Sequence, residues 1–66
     1  MQIVVNGQVQ EVFLECTVLK LLEDKAVALD TVVVELNGEI LKQVQWQSTI
    51  LQAGDSLEIL VFMGGG

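Results

Sequence analysis

Apolar and polar positions alternate near both ends of the chain, and a helical spacing of apolar residues occurs between them. Residues 1 to 14 predict two strands joined at Asn6-Gly7, a pair that accepts the positive φ angles of a tight hairpin turn. Met1, Ile3 and Val5 alternate with Gln2, Val4 and Asn6, and on the return leg Val12 and Leu14 alternate with Glu11, Phe13 and Glu15. One face of the pair is then buried and the other mostly wet. Thr17 supplies an N-cap hydroxyl for a helix over about 18 to 25, in which Val18, Leu21, Leu22 and Lys25 share one face. That helix lies over the sheet.

Further along, "TVVVELNGEI" is β-branched and alternating, and Asn37-Gly38 marks a second turn. The stretch "KQVQWQSTIL", residues 42 to 51, predicts a single helical turn followed by an extended piece. Ala53-Gly54-Asp55 is a turn signal. Ser56 to Met63 is the final strand, with Leu57, Ile59, Val61 and Met63 on one face and Ser56, Glu58, Leu60 and Phe62 on the other. The predicted order is strand, strand, helix, strand, final strand. It suits an α+β fold in which a mixed sheet packs on one main helix, with the first and last strands adjacent and parallel in its middle. The helix and third strand between them supply the crossover that a parallel pair requires.

Composition narrows the function. With 66 residues there is room for one domain, and 52% hydrophobic content against 18% charged residues calls for a packed core. Three lysines against nine Asp and Glu give a net charge of -6, which argues against phosphate-backbone binding and so against nucleic acid. The acidic surface suits solubility and steering toward a basic patch on a protein partner. One cysteine, where a small domain in an oxidising compartment would carry several, points to the cytoplasm. The start "MQIVVNGQVQ" lacks a basic region followed by a long apolar one. The longest apolar run, Ile59 to Met63, falls far short of the ~20 residues of a spanning helix, so neither secretion nor a membrane is expected.

Conventional catalytic chemistry is sparse. The chain has no histidine and no tyrosine, its one Cys and scattered carboxylates give no zinc-ligand spacing, and no phosphate-binding or nucleophile-elbow pattern appears. A role as an enzyme is not expected. Cys16 stands at a helix N-terminus, where a thiol pKa can fall, but Glu15 opposes this, and packing against Leu21 ahead of the Thr17 cap is the expected role. Trp46 is expected to fill core volume and anchor an irregular segment.

The run "EILVFMGGG" ends in a different resource, the α-carboxylate of Gly66. A body over residues 1–63 would hold out a tail over 64–66 whose three residues reach about 10 Å when extended. Adenylation by a separate ATP-using enzyme would make that carboxylate an electrophile, and a sulfur nucleophile would convert it to a thiocarboxylate. Lacking Cβ atoms, Gly64, Gly65 and Gly66 could thread a narrow passage into the enzyme's nucleotide site. If Glu35 and Glu58 mark the wet face of the sheet, alternation places Val4, Val33, Leu60 and Phe62 on that face, with Phe13 on the outer hairpin strand. Such an apolar patch suits partner docking.

The residues resemble the ThiS family, small sulfur carriers of thiamine biosynthesis, over essentially the whole chain. The similar features are "MQIVVNGQ", "CTVLKLLED", "VVVELNGEI", Trp46 followed by Leu51, and "AGDSLEILVFMGGG". The resemblance implies a ubiquitin-like β-grasp fold. It implies adenylation and thiocarboxylation of Gly66 by an E1-like ThiF-type enzyme using ATP and a sulfur donor protein, and delivery of sulfur to a ThiG-type thiazole synthase. The carrier itself would bind no cofactor. The chain departs from the family at "ILKQVQW", where many members carry Pro-Arg shortly before the Trp and this chain has Lys42-Gln43.

Other readings share parts of this pattern. The small subunit of molybdopterin synthase uses the same terminal chemistry but tends to have proline just before the glycines, and this chain has no proline. Carriers for other sulfur pathways are alternatives. A ubiquitin-like modifier would pass the activated Gly66 to a substrate lysine, and a noncovalent binding module would use only the sheet face.

Overall fold

The structure, a computed structural model, describes residues 1–62. Strands β1 (Gln2–Val5) and β2 (Gln8–Glu11) form the first hairpin, and helix α1 (Val18–Asp24) follows. A second hairpin joins β3 (Val32–Leu36) to β4 (Glu39–Leu41), and β5 (Ser56–Val61) comes last. Single 3-10 turns at Leu29–Thr31 and Gln43–Gln45 fill the connections. Both hairpins turn on Asn-Gly, with φ of 50° and 83° at Asn6 and Gly7 and of 52° and 87° at Asn37 and Gly38. Positive φ at both central residues matches the right-handed twist of the flanking strands, which is why this dipeptide recurs here.

The sheet order is β2-β1-β5-β3-β4, with β1 and β5 parallel and the remaining neighbours antiparallel. The expected parallel pairing of first and last strands is therefore present, and β5 is central. Ile3 and Val5, Val32 and Val34, and Leu57 and Ile59 turn inward and pack with Val18, Leu21 and Leu22 of α1 and with Trp46 and Leu51. A seven-residue helix is unstable alone. Its three buried side chains, each contributing about 1.5–3 kcal/mol, hold it on the sheet.

Hydrogen bonds cap both ends of α1. The Thr17 hydroxyl accepts from the Lys20 N–H at 3.1 Å. The Val18 and Leu19 N–H groups donate to the Thr49 and Trp46 carbonyls at 3.0 and 3.1 Å. Segment 42–51 thus caps the helix from outside it, using the expected helical turn and an extended piece that bridges Thr17 at Ile50. The C-terminus closes with Ala26 N–H to Glu23 O at 3.0 Å and Val27 N–H to Leu22 O at 3.5 Å. This is a Schellman arrangement, with Ala26 at φ 57° where glycine is usual.

Several expectations are corrected. The third strand is followed by a separate strand, β4, so the sheet has five strands rather than four. The Asn37-Gly38 turn folds Glu39–Leu41 back onto β3. The second strand ends at Glu11, because Met1 closes the hairpin by exchanging hydrogen bonds with Val12. Leu14 is consequently exposed instead of inward, and Phe13 lies in a turn closed by Cys16 N–H to Phe13 O at 3.2 Å, off the strand. Lys25 is the exposed C-cap of α1 and does not share its buried face. Val61 follows the inward alternation of β5 yet is 62% exposed, since β5 runs past its ladder with β1, which stops at Leu57. The expected strand end at Met63, and with it the boundary between body and tail, lies outside the described residues.

Candidate functional site

The face of the sheet away from α1 is built by the residues that alternate with the core. In register, Val4 lies opposite Val9 on β2 and Ser56 on β5. Val33 lies opposite Leu60, and Glu35 opposite both Glu58 and Ile40. Val4 and Val33 are half-buried and Leu60 is 50% exposed. Phe62 follows directly, with its N–H bonded to Thr31 O at 2.9 Å, which continues the register of the β3–β5 pair. Four of the five expected docking residues therefore fall on one side of the sheet, where Glu35 and Glu58 lie between the apolar Val33–Leu60 pair and the polar Asn37–Ser56 pair.

Phe13 is separate. It is 89% exposed beside a groove between the end of β2 and α1, lined also by Met1, Leu14, Cys16 and Leu21. Two residues of the sheet face escaped the sequence reading, Val9 and Ile40, both well exposed. A signal existed for each: a two-residue turn after Val5 pairs position 4 with 9, and one after Leu36 pairs 35 with 40.

The central strand, β5, is pinned by Asn6. Its amide Nδ2 donates to Ile59 O at 3.3 Å, and its Oδ1 accepts from Ile59 N–H at 2.8 Å. The side chain thereby continues the β1 ladder after the backbone has turned away. Gly64, Gly65 and Gly66 lie outside the described residues.

Cys16 is half-buried and packs on the core cluster that includes Leu21. Burial pushes its thiol above the ordinary range, the Asp24 carboxylate adds to this, and the Lys20 ammonium opposes it. That is the reverse of an activated nucleophile. Trp46 is buried, and its Nε1–H donates to Leu41 O at 3.1 Å, as befits the anchor of an irregular segment. Among the described residues no group of three His, Cys, Asp or Glu side chains is arranged to hold a metal ion, and no helix is long and apolar enough to cross a membrane.

A five-stranded mixed sheet clasping one helix, with first and last strands parallel at its centre, defines a ubiquitin-like β-grasp domain. The ThiS family model matches residues 3–66. The chain belongs to the ThiS family, whose members are small sulfur carriers and not catalysts. It is similar to the crystal structure of thiamine biosynthesis protein ThiS from Geobacter metallireducens, with 42% identity, full coverage of both chains and a TM-score of 0.85. The solution NMR structure of a thiamine biosynthesis protein from the same organism is 40% identical, with a TM-score of 0.79 over all of this chain and 88% of that one. A thiazole synthase of Paramagnetospirillum magneticum is 36% identical over the whole chain, which spans about a fifth (20%) of that relative's length.

Proposed function

We propose that this chain carries sulfur as a thiocarboxylate on Gly66 and delivers it for formation of the thiazole ring of thiamine. The single observation that supports this most is the family match running through Gly66, on a body whose central strand leads to it. In the first step a carboxylate oxygen of Gly66 attacks the α-phosphorus of ATP, and pyrophosphate leaves. In the second, a sulfide equivalent from a donor protein attacks the activated carbonyl and AMP leaves, so that one carboxylate oxygen has been exchanged for sulfur. An E1-like ThiF-type enzyme performs the activation, and the ATP is its own substrate. Glycine at 64, 65 and 66 removes every Cβ from the segment that must enter that enzyme.

Ordering those residues costs on the order of 1–2 kcal/mol each, so docking elsewhere must offset it. Val4, Val33, Leu60 and Phe62 supply that contact on the sheet face, and Phe13 offers a second one at its groove. A ThiG-type thiazole synthase is the acceptor of the sulfur. The presence of a ThiS-like segment within a chain named thiazole synthase supports that pairing. The cytoplasmic setting expected from the lone cysteine is part of the same proposal.

The test is to incubate the chain with ATP, the activating enzyme and a sulfur source, and to record the intact mass. The expected product is heavier by the difference between one sulfur and one oxygen atom, and a chain lacking Gly66 stays unchanged. Conjugates at the summed mass of two proteins would overturn the carrier reading in favour of a modifier. Undiminished activity without Gly66 would favour a noncovalent module.

A further inference from the structure

The outer sheet face carries an unresolved charge conflict at its middle. Glu35 and Glu58 are direct cross-strand partners in the antiparallel β3–β5 register, so their side chains leave the same side of the sheet next to one another. Like charges in that relation are destabilising. Glu35 is half-buried, and apolar neighbours flank the pair: Val33 and Leu60 one step along the same face, and Ile40 across β4. Glu58, Ile40 and Leu60 are exposed, so the pair is open to a partner's side chain.

Among the described residues none of the chain's own cations is paired with either carboxylate. Its basic side chains are Lys20, Lys25 and Lys42. Lys20 lies on α1, where it pairs with Asp24 at 3.3 Å. Lys25 caps the same helix and lines a shallow pocket with Val27 and Ile59 on the helix side of the sheet. Lys42 leads into the 3-10 turn before Trp46. The N-terminal ammonium is held by Glu11 at 3.3 Å. Among the described residues no ion pair reaches Glu35 or Glu58.

We propose that this face docks on the activating enzyme by receiving an arginine of that enzyme between Glu35 and Glu58, with apolar side chains around it meeting Val33, Ile40 and Leu60; this rests on the sulfur-carrier reading. The fit is one of charge and shape. A guanidinium is planar and has five N–H donors, so a single arginine serves two carboxylates at once, which a lysine does less well. Cα atoms of such a hydrogen-bonded cross-strand pair stand about 5.5 Å apart, a span a guanidinium bridges. Placement adds to this, because the pair sits on and beside the strand that leads to Gly66, so docking here brings the tail to the enzyme.

The test compares three chains in steady-state adenylation by the activating enzyme at low and high salt, with thermal unfolding of each measured in parallel. In the double variant Glu35→Gln, Glu58→Gln, KM for the carrier is expected to rise about tenfold, the loss falling on KM and not on kcat, and its salt dependence to flatten. Its melting temperature should rise as the repulsion disappears. In Glu58→Lys an internal ion pair with Glu35 replaces the missing partner, so stability should rise again and KM exceed that of the double variant. Wild-type KM and salt dependence in both variants would overturn the proposal. Failure of the wild-type chain itself to be adenylated would instead overturn the carrier reading beneath it.

Discussion

Asn6 and Ile59, 53 positions apart in sequence, are joined by two hydrogen bonds through one side-chain amide, at 2.8 and 3.3 Å. Asn6 does two things at once. It takes the positive φ of the first turn, which asparagine tolerates better than most residues, and it occupies backbone groups of the central strand that β1 no longer reaches. Replacing it with alanine removes both bonds and leaves part-buried groups of Ile59 unpaired, at a cost of about 1–3 kcal/mol. Urea unfolding should show that loss in Asn6→Ala, and a smaller one in Asn6→Asp, which keeps the acceptor and loses the donor.

Ala26 offers the opposite outcome. At φ 57° it bears the left-handed penalty that glycine avoids, in a helix-ending motif whose hydrogen bonds are all from the backbone. Ala26→Gly should therefore stabilise the domain by about 0.5–1 kcal/mol, even though glycine also adds freedom to the unfolded chain. A lower urea midpoint in the variant would contradict this account of the helix end.

Cys16 gives a pH dependence with a definite sign. Burial raises the thiol pKa in the folded chain, so the unfolded chain ionises first as pH rises. The stabilising contribution is complete below the unfolded pKa and is lost as pH climbs through the folded value. Relative to Cys16→Ala, the wild-type chain should lose stability across that alkaline window. Its alkylation by iodoacetamide should also titrate at higher pH than in a short peptide. Cys16→Ser should load sulfur normally, and a loss of loading at unchanged stability would make the thiol a participant.

The two parts of the expected docking set separate by substitution. Leu60 stands at the centre of the sheet face, opposite Val33, whereas Phe13 stands at the groove beside α1. Leu60→Ala should raise KM for the carrier in adenylation by about tenfold, the scale of a central apolar contact, while Phe13→Ala should change it by less than about threefold. The reverse ranking would move the docking surface to the groove. Both side chains are at least half exposed, so neither variant should unfold.

Much of this architecture could be read from local chemistry. Asn6-Gly7 and Asn37-Gly38 announce their turns, Thr17 announces its helix, and the alternation in Leu57 and Ile59 marks the inward side of β5. What escaped the reading depends on where a neighbour stops. Glu39–Leu41 is only three residues long and has no alternation of its own to declare, so β4 becomes visible only once it pairs with β3. The pattern at Val12, Phe13 and Leu14 continues past Glu11, but no partner remains for the strand beyond Met1. Ala26 gives no hint of a left-handed residue, because that conformation is imposed by the packing of α1 and the return of the chain. The sheet-face site was legible as a set of apolar positions, while the opposition of Glu35 to Glu58 required the register.

The strand in the middle of the sheet is made after the four strands it holds together. A nascent chain that stalls before codon 56 has two hairpins and a helix but no β5 to join them, and such a fragment remains open to proteases. Only a nascent chain that has cleared Val61 holds all five strands, so closure of this sheet waits on the latest of its elements to be made.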